Sequence, residues 1–333
     1  MKIRSAASIL SLPRRAKIIF YSAGVILIAL VALSIYWSRT PDTFWVNEFV
    51  DNDRIVVGYS STDTLIRVAE TLLDKPGGYL SNDRMPPSVF LDNIPSWEFG
   101  VLQQVRDLAR VIRNDYSRSQ SQSKEDEDIA VSEPHFFFDN NSWLLPRSES
   151  EYRDALRGFT RYRDRLTGAQ QPVARFYARA DNLREWLAQV EKRLGSLTRR
   201  LGDSVVSTRI NTDLAGDPSA RAANTLPDNI TVRTSWFQVD NVFFEARGNA
   251  WALVHFFRAA EFDFARVLED KNARTSVRQI IRELEASLES LHSPIVMNGG
   301  GYGLFANHSL VMANYLARAN AAVINLRELL DQG

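Results

Sequence analysis

Twenty consecutive residues without a charge, 18 to 37 (IIFYSAGVILIALVALSIYW), constrain this chain more than any other stretch. At ~1.5 Å rise per residue a helix of that length covers the ~30 Å hydrocarbon core of a bilayer. Lys2, Arg4, Arg14, Arg15 and Lys17 precede the run with no acidic residue among them. Asp42, Glu48, Asp51 and Asp53 follow it, with only Arg39 and Arg54 interspersed. The positive-inside rule then predicts a cytoplasmic tail (1–17), a transmembrane anchor (18–37), a connector (38–61) and a body (62–333) on the outer side, which in a bacterial inner membrane is the periplasm. Tyr36 and Trp37 suit the outer interface as belt aromatics. The competing reading is a cleaved signal peptide, because Ala32-Leu33-Ser34 has the small-x-small form of a cleavage site. The span length of the run favours the uncleaved anchor.

Charge and cysteine content limit the partners. Lys and Arg number 40, as do Asp and Glu, but five of the basic residues sit in the tail, so the chain beyond the anchor carries 35 basic and 40 acidic residues. A net −5 argues against nucleic acid as a partner. There is no Cys, hence neither disulfides nor thiolate metal sites. Nearly 300 residues remain beyond the anchor, enough for a core without such staples.

Along the body the dominant period is helical, which predicts an all-α antiparallel bundle. Residues 40–61 are aromatic and acidic and read as a connector with a short helix or strand near the membrane. Thr62-Asp63 opens a helix that Lys75-Pro76-Gly77-Gly78 stops, and 79–95, with three prolines, reads as an irregular loop. A second helix runs from Ser96 to Tyr116, and the polar stretch 117–134 reads as a mobile solvated loop. Ser148-x-x-Glu151 has the form of a capping box for a helix reaching Leu166.

Pro172 then predicts the start of the most regular helix, with Val173, Ala180, Leu187, Leu194 and Leu201 seven apart and Phe176, Leu183, Val190 and Leu197 between them. The short link between these last two helices predicts a long αα-hairpin, its seam filled from within the chain in preference to an intermolecular coiled coil. Residues 202–233, rich in Gly, Asp, Asn and Pro, read as a long mobile loop, although loops of that length are uncommon inside a domain and leave room for a hidden strand or helix. The helix from about Asp240 to Leu268 is apolar nearly all round and is the expected centre of the bundle. Amphipathic helices over 277–291 and from Asn307 to Leu330 complete the chain, the last one capped by Asn307-His308-Ser309.

Patterns that would carry chemistry are sparse. One Glu-x-x-His pair, Glu289 and His292, has no second pair to complete a di-iron bundle site, and His135, His255 and His308 lack partners at ligand spacing, so neither a metal nor a cofactor is called for. Gly58-Tyr59-Ser60-Ser61-Thr62 fails the nucleophile elbow at its last glycine. Ser121-x-x-Lys124 falls in the polar stretch rather than at a helix start. The loop Gly299-Gly300-Gly301-Tyr302-Gly303 follows no strand and lacks the P-loop Lys.

Two groups of side chains remain. Glu245, Glu261 and Asp263 lie on the most apolar helix, where a raised pKa would suit an acid catalyst of an envelope hydrolase, although pairing with Arg258 or Arg266 favours a structural role. Arg153, Arg157, Arg161 and Arg165 lie four apart. The stretch 148–201 around them holds 12 basic against 7 acidic residues, a candidate surface for lipid headgroups or an anionic envelope polymer, against which stands pairing with the acidic remainder of the chain.

Three segments carry a family resemblance: NDRMPPSVFLDNIPSWEFGVLQQVRDLARVIRNDYSRSQSQS, FDNNSWLLPRSESEYRDAL and MNGGGYGLFANHSLVMANYLARANAAVINLREL. Together they resemble domain of unknown function 2333, a family of Gram-negative bacterial proteins. The resemblance implies single-span envelope proteins and carries over no catalytic residue. The combined expectation is a membrane-anchored interaction or scaffold protein of the cell envelope, with envelope proteins, membrane lipid, an anionic polymer or a second copy as partners.

Overall fold

The computed structural model describes residues 13–47, 49–51, 54–119, 123–205, 207–210, 229–291, 295–299, 304 and 306–332. Among them are ten α-helices and two short antiparallel ribbons. Helix α1 (Arg14–Trp37) buries none of its residues against the body, and it is long and apolar enough to cross a membrane or to act as a signal anchor. Its last residue, Trp37, packs beside the backbone of Gly77 at the edge of the core. The predicted tail, apart from residues 13–17, lies outside the described residues.

The body is a helical bundle, as the periodicity predicts. Helix α2 (Tyr59–Asp74) and helix α3 (Asn93–Val111), which ends in a π turn over 112–116, pack on helix α7 (Trp236–Asp263). Helices α9 (Arg274–Ser287) and α10 (His308–Asp331) cover other sides of α7, and the short α8 (Ala265–Asp270) extends its line. Helix α7 is therefore the centre. It buries Phe243, Ala246, Ala250, Trp251, Leu253, Val254, Phe256 and Phe257, and each such side chain contributes roughly 1.5–3 kcal/mol when it is a large apolar one.

Two glycines set how closely α3 and α7 approach. A Cβ on Gly100 would lie 2.1 Å from the Glu245 carbonyl oxygen, and one on Gly248 would lie 2.1 Å from the Trp97 carbonyl oxygen. Backbone fills the space a side chain would need. The Gln104 amide reaches Asn249 Oδ1 across the same crossing at 2.6 Å.

The heptad seam is buried at Leu183, Leu187, Val190, Leu194, Leu197 and Leu201 on helix α6 (Ala180–Gly202) and is filled from within the chain. Its partner is α10, whose Met312, Leu316, Ala319, Val323, Leu326 and Leu330 recur on one face. Ion pairs Arg184–Asp331 and Arg327–Glu191 fix the two as antiparallel. Helix α5 (Ser148–Leu166), expected as the seam partner, packs instead on α2 and on helix α4 (Glu127–Phe136). The link explains the exchange. Residues 173–179 run extended rather than helical, with the Tyr177 N–H on the Tyr116 carbonyl (2.7 Å) and the Phe176 ring between Tyr116 and Phe264, so α6 starts well away from the end of α5.

Three local expectations are also corrected. Helix α4 lies inside the stretch read as a solvated loop: Asp126 caps it by accepting from the Asp128 N–H, Ile129 and Phe136 are fully buried, and its acids pair with Arg113, Arg161 and Arg165 of other helices. The capping box does not form. Ser148 Oγ donates to the Asp139 carbonyl (2.7 Å) and Glu151 meets His135 (2.7 Å). Strand pairs, not legible as hairpins, occur at β1 (Val50–Asp51) with β2 (Arg54–Ile55) and at β3 (Ser207–Ile210) with β4 (Asn229–Val232). The second pair lies in the stretch 202–233 that reads as a mobile loop from the sequence.

Candidate functional site at the anchor junction

The connector after the apolar helix α1 is bonded to the centre of the bundle. The Phe44 N–H donates to His255 Nε2 (3.0 Å), and His255 Nδ1 donates to the Trp251 carbonyl (2.6 Å) one helical turn earlier, which fixes the ring as the Nδ1–H tautomer. His255 is fully buried, and burial pulls its pKa down to about 3, so it is a neutral acceptor across the physiological range.

Around this bond the Phe44 ring stacks on the imidazole at 3.9 Å between centroids, with Arg67 4.2 Å from its own centroid. Arg258 donates to the Phe44 carbonyl (3.1 Å), Arg67 to the Trp45 carbonyl (2.8 Å) and Trp251 Nε1 to the Asp42 carbonyl (3.3 Å). The chain leaving α1 is thus held by α2 and α7 together.

A second bond set holds the other end of the connector. Asp263, at the last turn of α7, accepts from the Gly58 N–H (2.8 Å) and the Ser61 N–H (2.6 Å), meeting free donors at the first turn of α2. Gly58 sits at φ +90°, and a Cβ there would strike the Phe176 ring. Burial outweighs these N–H bonds and pushes the Asp263 carboxyl up to about 6.

Between the connector and the bundle lies a cleft of about 830 Å³. One wall is the connector from Ser38 to Thr43. The other carries Phe244, Trp251, Leu288 and Leu291, with Arg247 and Arg258 among them. Arg258 pairs with Glu285 (2.6 Å), whereas buried Arg247 donates to the carbonyls of Ser287, Leu288 and Glu289 at the end of α9 and has no carboxylate partner among the described residues. Cations are favoured at a helix C-terminus. Desolvation lowers the pKa of this guanidinium.

The carboxylates singled out on α7 are not brought together. Glu245 is held bidentately by Arg200 (2.7 and 2.6 Å), Glu261 pairs with Arg278 (2.8 Å) and lies 3.7 Å from Arg274, and Asp263 caps α2. Glu245 and Asp263 stand about 27 Å apart along the helix axis at ~1.5 Å per residue. Each arginine of the row on α5 has an acid of the same chain: Arg153 with Asp74, Arg157 with Asp154, Arg161 with Asp128, and Arg165 with Asp126 and Asp128.

His308 Nδ1 accepts from the Met297 N–H (2.9 Å), and Lys124 pairs with Glu127. His292, Ser121 and residues 300–303 of the glycine loop lie outside the described residues, among which no group of three or more His, Cys, Asp or Glu is placed to hold a metal ion. Periodicity alone gave no hint of His255. The run TFWVNEF supplies Phe44, which covers His255, but Trp45 beside it is exposed, so residue type does not single out the member that packs inward.

A family model described as an uncharacterized protein conserved in bacteria (DUF2333) matches residues 14–333. No curated protein and no solved structure matches the chain.

Proposed function

We propose that this chain, which belongs to the DUF2333 family of bacterial proteins, is a single-span protein of the inner membrane whose periplasmic helical body serves as an interaction or scaffold component of the cell envelope. The observation that carries this reading is the anchor junction. Phe44 on His255, together with the Arg67 and Arg258 bonds, couples the body to the membrane helix without a loose tether, so its faces are presented at a set height and orientation. Such coupling suits a protein that positions a partner.

Exposed apolar side chains support a protein partner. Trp236 and Phe237 at the start of α7 are 60% and 83% exposed, and Ile295 lines a shallow cleft beside Trp236. Grouped apolar exposure of this kind marks interaction surfaces. The test is a photocrosslinking residue placed at Phe237 of the full chain in intact cells, with protease added to spheroplasts in parallel. Discrete adducts and external cleavage of the body are expected. A body shielded from external protease, or the absence of any adduct, would overturn the reading.

A further inference from the structure

We infer that the cleft at the anchor junction binds the phosphate-bearing headgroup of a membrane phospholipid, with the first part of its acyl chains against the Phe244–Leu291 wall. The inference rests on the membrane-anchored reading above. Its position is the first argument: the connector wall begins at Ser38, directly after the last residue of the membrane helix, so with α1 in a bilayer the cleft opens at headgroup level.

Chemistry is the second argument. At about 830 Å³ the cleft falls within the ~300–1,000 Å³ of small-molecule sites, and its lining is divided as an amphiphile requires. Phe244, Trp251, Leu288 and Leu291 form an apolar side. Arg39 is exposed at the mouth, and Arg247 brings a buried positive charge that carbonyl oxygens solvate without neutralising. A phosphodiester would supply that neutralisation, accepting from guanidinium N–H groups while its glycerol and upper acyl carbons cover the aromatic wall. The acids Asp42 and Glu289, and Glu285 paired with Arg258, also line the cleft, which suits a headgroup bearing donors, such as the glycerol hydroxyls or a primary ammonium.

The test is native mass spectrometry of the full chain in detergent micelles, offered dioleoylphosphatidylglycerol or dioleoylglycerol, which share acyl chains and differ in the phosphate. Retention of the phospholipid alone is expected. Arg39→Gln should lower its occupancy about fivefold, as the loss of one interfacial cation implies. Thr40→Trp, which fills the cleft from the connector side, should lower it at unchanged thermal stability. Equal retention of both lipids by the unmodified chain, or full retention of the phospholipid by both variants, would overturn the inference. Extraction of the chain from carbonate-washed membranes would instead fail the anchored reading, which the micelle measurement does not depend on.

Discussion

Helices α5 and α7 use charge in opposite ways. On α5 the arginines at 153, 157 and 161 are exposed, each paired with a carboxylate that is itself partly in water. On and around α7 the charged groups are buried, and backbone N–H or carbonyl groups complete their shells: Asp263 on Gly58 and Ser61, Arg247 on the end of α9, and the neighbouring pair Lys75–Glu98 fully enclosed at 2.5 Å. The three exposed members of the row that is conspicuous in the sequence are energetically slack, whereas its fourth, Arg165, is buried with Asp126 and Asp128 and joins the costly charges. Regular spacing advertises a surface, whereas a buried charge is placed by tertiary neighbours that no spacing reveals.

The sharpest way to break this comparison is Lys75→Met. It leaves Glu98 buried with the Leu80 and Ser81 N–H groups and the Ser81 hydroxyl but no cation, and burial already raises its pKa. A loss of ~3–5 kcal/mol in urea unfolding is expected. Gly248→Ala should follow at ~1–3 kcal/mol, because its methyl would meet the Trp97 carbonyl at the crossing of α3 and α7.

His255→Phe keeps a ring against Phe44 but removes the acceptor for its N–H. It should cost ~1–3 kcal/mol and speed proteolysis between Arg39 and Asp63, read by gel and mass spectrometry. If cleavage there is unchanged, the junction is not what secures the body.

Acid titration sharpens the same contrast. His255 has its folded pKa lowered from 6.5 to about 3, so the unfolded state takes up the proton first and stability falls as pH drops below 6.5, by about 2 kcal/mol at pH 5. Asp263 has its folded pKa raised from 3.8 to about 6, so the folded state takes up the proton first and stability rises by about 1 kcal/mol between pH 7 and pH 5. The two oppose each other. The unmodified chain should therefore lose only about 1 kcal/mol from them over that range, whereas His255→Phe should gain stability on acidification. At the low end of the scale, Arg157→Ala on α5 should shift stability by no more than about 0.5 kcal/mol, because its pair with Asp154 is exposed.

Much of the fold was legible because helices that pack one face on a core must repeat every three to four residues. Helices α2 and α3 and the leucines of α6 follow directly from that requirement, while α1 and the central α7 follow from long apolar runs and the Asn307 cap of α10 from its residue type. Helix α4 was hidden because its polar residues are structural: Asp126 caps it, Asp126 and Asp128 bind Arg165, and a count of apolar residues cannot register charge that is satisfied internally. The start of α6 was misplaced for the converse reason. Val173 and Phe176 keep the heptad spacing, yet Phe176 is used by an extended strap against Tyr116 and Phe264. Of the candidate site residues, the arginines and the α7 carboxylates were visible as residue types, but the cleft was not, since its walls come from segments some 200 residues apart.

By itself, then, the sequence determined an apolar helix of membrane-spanning length and a helical body, because both follow from local periodicity and from the length of chain needed to cross hydrocarbon. Which helix covers which, and that the connector is bonded to α7 rather than hanging free, only the tertiary structure decided. The physical reason is that a buried polar group such as His255 is stable only with a partner at hydrogen-bond distance, and that partner, the N–H of Phe44, lies 211 residues away in the chain.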